Sequence, residues 1–181
     1  FGATDRVGMF RMGRQGIESL DDPSGLLLAD RRAGVPGSAV VAVLEGHRPV
    51  LVEVQALVSP RPAGTGGYGT RTVTGLVPRR IDLILAVLAQ RAQLDLSNAD
   101  VFVSVAGGLT VREPAADLAI AAAVVSAATL RAIPGDVMMV GEVGLTGELR
   151  AVPEPSRRIS EAARLGFHRI VAPRDRSVHP A

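Results

Sequence analysis

Pro114–Leu130 carries alanine, valine, leucine and isoleucine on nearly every side of a helical wheel. A helix that is apolar all round has no wet face, so it must lie in the middle of a packed molecule. Hydrophobic residues make up 47% of the chain and aromatic residues only 3%. A core with so few large rings has to be filled by Ala, Val, Leu and Ile, which suits helices laid on a sheet. The 181 residues are enough for one domain with a substantial core.

All 20 basic residues are arginines. A guanidinium stays charged at any working pH, so no side chain here can serve a serine as a neutral amine base. The same lack removes the phosphate-binding lysine of a P-loop. The chain by itself is therefore neither a Ser–Lys peptidase nor a Walker-type ATPase, and no cofactor is expected in it. With a formal charge of only +2, contact with nucleic acid needs a local patch. There is no cysteine, and His47, His168 and His179 have no ligand spacing, so no metal site is expected. The longest apolar stretch, Leu118–Leu130, is too short to cross a bilayer. No membrane partner and a cytoplasmic location are expected.

The periodicities predict an α/β (α+β) domain. Val7–Met12 reads as a strand, Asp21–Gly25 as a turn, and Leu26–Leu28 as a short apolar run. Ser38–Leu44 and Pro49–Val58 form a hairpin candidate around Glu45-Gly46-His47-Arg48. Ser59–Gly69, which contains Gly64-Thr-Gly-Gly-Tyr-Gly69, reads as a loop rather than a phosphate cradle. Helices are predicted over Ile81–Ala92, Pro114–Leu130 and Pro155–Leu165. Strands are predicted at Val101–Val105, Val137–Val140 and Ile170–Ala172, and a glycine-rich turn at Gly141–Leu149. Residues 1–173 are read as one domain and 174–181 as a flexible tail. The start, Phe1-Gly2-Ala3-Thr4, reads as a cut inside a longer protein.

Two segments carry a resemblance. One is Asp100-Val-Phe-Val-Ser-Val-Ala-Gly-Gly108, followed by Thr110-Val-Arg-Glu-Pro-Ala-Ala-Asp-Leu118. The other is Gly141-Glu-Val-Gly-Leu-Thr-Gly-Glu-Leu-Arg150-Ala-Val, followed by an arginine-bearing helix. Together they resemble the proteolytic domain of Lon proteases, and more closely the C-terminal Lon-like domain of bacterial RadA (Sms) DNA-repair proteins. Asp22-Pro-Ser24, Gly37-Ser-Ala-Val-Val41, Arg48–Val58 and Gly166-Phe167 agree as well. Phe1-Gly2 is similar to the end of that family's Lys-Asn-Arg-Phe-Gly motif.

The resemblance implies a Lon proteolytic-domain fold, related to ribosomal protein S5 domain 2, with a mixed sheet packed by helices. It places Ala116 at the position of the Lon serine and Ser156, within one residue, at that of the lysine, so neither half of the dyad is present. Asp117 reads as a carboxylate favourably placed against a helix dipole. Glu142 and Glu148 read as partners of arginines or as loop-fixing groups. The family further implies a hexameric ring that drives branch migration in recombination, with zinc and ATP bound by other parts of the longer protein. Implied partners are further copies of the chain, duplex or branched DNA, and a RecA-type recombinase. Arg71 and Arg80 match positions where the family carries arginine. With Arg79 they form the first DNA-contact candidate, and Arg157 and Arg158, with Arg164, form the second. The alternatives are an assembly module that does not touch DNA and an active Lon-like peptidase.

Overall fold

The computed structural model describes residues 10–13, 16–62 and 67–174. Elements follow in the order β1 (Phe10–Gly13), β2 (Gly16–Ser19), α1 (Pro23–Leu28), β3 (Ser38–Glu45), β4 (Arg48–Pro60), β5 (Arg71–Thr74) and α2 (Pro78–Arg91). Then come β6 (Ala99–Val105), α3 (Asp117–Thr129), β7 (Val137–Met139), β8 (Glu142–Val143), β9 (Leu149–Arg150), α4 (Pro155–Arg164) and β10 (Arg169–Val171). Short 3-10 turns at Ala106–Gly108 and Pro114–Ala116 join β6 to α3.

Six strands form one mixed sheet in the order β10-β7-β3-β4-β6-β5. The pairs β3–β4 and β4–β6 are antiparallel; β10–β7, β7–β3 and β5–β6 are parallel. The expected α/β class and the expected 38–58 hairpin are both present. The hairpin runs one residue further on β3 and three further on β4, one at its start and two at its end, than its β-branched core suggested.

Successive strand residues point to opposite faces, so unbroken burial means cover on both sides. Ser38–Val43 and Val50–Val54 are buried without a break, so the middle of the sheet lies inside the molecule. Helix α3 packs on β3 and β4 and is joined by α2; α1 and α4 also pack on β4. From Gln55 onward β4 alternates between half-buried and exposed residues, and one face of the sheet opens there.

Helix α3 is central, as its sequence demands. Its one polar residue past the first turn before Thr129, Ser126, is buried but satisfied: it donates to the Arg131 carbonyl at 2.5 Å and accepts from the Gly37 amide at 2.9 Å.

Several elements differ from the sequence reading. Asp21–Gly25 is not only a turn, because Asp22 caps α1 by accepting the Gly25 amide at 3.1 Å and Pro23 opens the helix. Strand β2 pairs with β1, and β5 forms the sheet edge beside β6. The Gly141–Leu149 turn holds the small β8–β9 ribbon. Residues 7–9, part of loop 59–69 and residues 175–181 lie outside the described set. Among the described residues no helix is long and apolar enough to cross a membrane, and no His/Cys/Asp/Glu group could hold a metal ion.

Gly37 enters β3 at φ +89°, and a Cβ there would run into the Ala56 carbonyl oxygen. Its own carbonyl accepts the Ala56 amide at 2.7 Å, so neither strand has room to retreat. Gly37→Ala is expected to lower the unfolding free energy by roughly 1–3 kcal/mol in urea denaturation.

Candidate nucleic-acid interface

The turn Pro114–Ala116 feeds directly into α3, and Ala115, Ala116 and Asp117 are all buried there. Gly141 closes over this head with two backbone bonds: its amide donates to Ala115 O at 3.0 Å, and its carbonyl accepts the Leu118 amide at 3.1 Å. Asp117 is only 1% exposed. Its carboxylate accepts the Arg80 guanidinium on both oxygens, one bond being Nε to Oδ1 at 2.7 Å, and the Val143 amide at 3.0 Å. One carboxylate thus joins α3 to α2 and to β8. The bond to Asp117 is also the main cause holding Arg80 above the ordinary arginine pKa.

A second clamp lies on the other side of the turn. Arg158 of α4 is fully buried. It donates Nε to Pro153 O at 2.8 Å, Nη1 to Ala42 O at 2.5 Å and to Glu113 Oε2 at 3.1 Å, and Nη2 to Glu113 Oε1. Glu113 also accepts the Leu44 amide at 2.9 Å. Ala116 therefore sits under a sealed surface and presents a methyl group, while Ser156 is exposed at the start of α4. These two positions hold no base and no accessible nucleophile facing one.

A head of α3 held by the Gly141–Val143 segment is the framework around which the sequence comparisons fall into place. The profile of the Lon protease (S16) C-terminal proteolytic domain matches residues 86–179. The chain belongs to this family. It is 45% identical over 173 residues to the DNA repair protein RadA of Halalkalibacterium halodurans, covering 96% of this chain and 37% of that protein. It is 46% identical over 181 residues to that of Mycolicibacterium smegmatis (100% and 38%), and 43% identical over 175 residues to that of Streptococcus pyogenes (97% and 38%). The chain thus spans little more than a third of the length of these relatives.

Within this Lon-type domain the arginines named from sequence have different fates. Arg158 cannot meet a ligand, because it is buried and all its bonds go inward; this corrects its expected place in the second DNA-contact candidate. Arg157, beside it, is exposed and reaches Glu154 at 3.2 Å and the His47 carbonyl at 3.2 Å. Arg71 is half-buried and donates to three carbonyls, Ala99 at 2.6 Å, Leu96 at 2.9 Å and Thr70 at 3.1 Å, so it braces the β5 edge. Arg80 keeps part of its surface while bound to Asp117. Arg79 is exposed and has no hydrogen bond or ion pair among the described residues.

Sequence reasoning passed over Arg112 and Arg150. Arg112 is exposed and equally free, and it shares with Arg79 and Arg80 the rim of a cavity of about 210 Å³ at the start of α2. Arg79 and Arg112 are far apart in the chain; the Val111 amide donating to Gly75 O at 2.8 Å brings their segments together. Helix α2 has no acidic residue in its first turn, so its positive end adds to theirs.

Arg80 also lines a neighbouring cavity of about 310 Å³ between α2 and the β8–β9 turn, with Glu142, Glu148 and Arg150. Glu142 lies 3.5 Å from Arg80 and 3.7 Å from Arg150. The Thr146 hydroxyl, the residue's own backbone amide and Arg150 hold Glu148 down to about 2. That depressed pKa means its contribution to stability is present in full above the ordinary value of 4.5 and is lost as pH falls toward 2.

Arg158→Ala leaves Glu113 without its partner and is expected to cost roughly 3–5 kcal/mol in urea denaturation. Arg157→Ala, one residue away, is expected to cost under about 0.5 kcal/mol in the same measurement.

Proposed function

We propose that this is the non-proteolytic Lon-type module of a RadA-type DNA-repair protein. In this reading it assembles as a homo-hexameric ring and touches duplex DNA through the basic rim at the head of α2. The ATP and zinc chemistry of such a protein, and its branch-migration activity, lie outside these residues. The absence of lysine and the alanine at 116 support the non-proteolytic reading, since position 116 offers no hydroxyl and no lysine is there to take its proton.

The observation that carries the DNA reading is the pair Arg79 and Arg112. Both are exposed, both are free of partners among the described residues, and they stand on one cavity rim beside a helix N-terminus. Guanidinium forks are suited to phosphate oxygens, which position a protein on DNA without reading its sequence. Arg80, and across the second cavity Arg150, extend this surface. Both are held by carboxylates of the chain, so a phosphate would have to compete for them. That neutralisation favours a second reading, in which the domain only assembles and DNA is bound elsewhere.

Fluorescence anisotropy of labelled duplex DNA at low and moderate salt, with oligomeric mass recorded in parallel, separates the two. The Arg79→Ala/Arg112→Ala variant is expected to bind at least about tenfold more weakly. Its log–log salt slope should fall by about 1.8, two phosphates at about 0.9 each. An Arg131→Ala/Arg174→Ala control, also on exposed arginines, should stay within about twofold. Equal binding by wild type and the Arg79/Arg112 variant overturns the assignment, and a well-formed hexamer with no affinity leaves the assembly reading alone.

A further inference from the structure

Arg80 and Arg150 line one cavity of about 310 Å³ beside the basic rim, and three carboxylates of the same chain compete for them. Two of the three hold tightly. Asp117 accepts from Arg80 Nε and Nη2, and Glu148 lies 2.5 Å from Arg150 Nη2. The third, Glu142, stands between the two guanidiniums, 3.5 Å from Arg80 Nη2 and 3.7 Å from Arg150 Nη1. Both contacts are longer than a charge-assisted hydrogen bond.

Glu142 is fixed at its backbone and loose at its tip. On one side of it the Gly141 amide donates to Ala115 O, and on the other the Val143 amide donates to Asp117. Across the β8–β9 ribbon Glu142 faces Arg150 in register. Its side chain keeps 30% of its surface in water. A carboxylate held this way can turn out into solvent without moving β8.

The charges around the cavity give that freedom a consequence. Arg80 and Arg150 face Asp117, Glu142 and Glu148, which leaves one negative charge in excess; without Glu142 the charges balance. Arg80 also stands on the neighbouring rim with the free Arg79 and Arg112. Its Nη1 donates no hydrogen bond among the described residues. A phosphate drawn to that rim meets a guanidinium with a free donor and, on the same guanidinium, the competing charge of Glu142.

We propose that Glu142 is a displaceable counter-ion that regulates anion binding at the head of α2. It bridges Arg80 and Arg150 in the free domain and gives way when a DNA phosphate takes its place. This rests on the DNA contact proposed above and names what limits its strength. Asp117 and Glu148 do not share the role: the first is buried and joins three elements, and the second is held by both Thr146 and Arg150.

Glu142→Gln keeps the size of the side chain and removes its charge. In the duplex-DNA anisotropy assay it is expected to bind about three- to tenfold more tightly than the wild type. Its log–log salt slope should steepen by up to about 0.9, one further phosphate neutralised. Asp136→Asn is the control, because it also removes one negative charge and releases an arginine, Arg169, from an exposed pair. It follows the far end of α3 from the rim, and its affinity should stay within about 1.5-fold. Urea denaturation of the same samples establishes that each variant is folded. Unchanged or lowered affinity in Glu142→Gln, with the Arg79→Ala/Arg112→Ala variant still weakened, overturns the counter-ion and leaves the DNA contact. Equal tightening by Asp136→Asn overturns it as well, because bulk charge then explains the gain. Folded wild type and Glu142→Gln that both fail to bind at low salt overturn the DNA contact itself, and the counter-ion with it.

Discussion

The buried carboxylate of Asp117 is the interaction on which the rest of this domain depends. An ionised group with 1% exposure survives only if every lone pair finds a strong donor. Here the donors come from Arg80 on α2 and Val143 on β8, so satisfying one charge fixes three elements. The all-apolar helix behind Asp117 has no polar face to orient it. Its direction is set at its head, by this carboxylate and by the Gly141 bonds to Ala115 and Leu118. The basic rim inherits that order, because Arg79 follows Pro78 on the helix that Arg80 ties down.

Arginine suits this architecture where lysine would not. A planar fork with several donors can join a carboxylate and carbonyls from different segments in one geometry. Arg158 does so between β3, Glu113 and the loop before α4, and Arg71 does so for the β5 edge. The head of α3, where the Lon family resemblance puts a nucleophile, is flanked instead by two arginine–carboxylate clamps. The cost is chemical: guanidinium cannot act as a base, so a chain built this way keeps the family's framework without a lysine base to serve a nucleophile there.

Much of this was legible in the sequence, for identifiable reasons. The β3–β4 hairpin, α2, α3, α4 and β6 are long or strongly patterned, and their local signals agree with the fold. Strand β5 was missed because Arg71–Thr74 is short and its partner β6 lies beyond a whole helix, so no local pattern announces the pairing. Helix α1 was hidden by Asp22-Pro23-Ser24-Gly25, which reads as a turn although an acidic cap followed by proline is also a helix start. Arg157 and Arg158 look alike in sequence, yet adjacent helical positions face different ways. The signal was there: Arg158 lies on the stripe that continues with the buried Ala162 and the half-buried Leu165. Arg112 had no such signal, because only the fold brings it to Arg79.

The central claim is that Asp117 and Arg80 act as one unit in holding the head of α3. A double-mutant cycle in urea with Asp117→Ala, Arg80→Ala and the double variant tests it directly. The account predicts a coupling energy of roughly 2 kcal/mol, with the double variant little worse than Asp117→Ala alone. Additive losses, with coupling within about 0.5 kcal/mol, would contradict it.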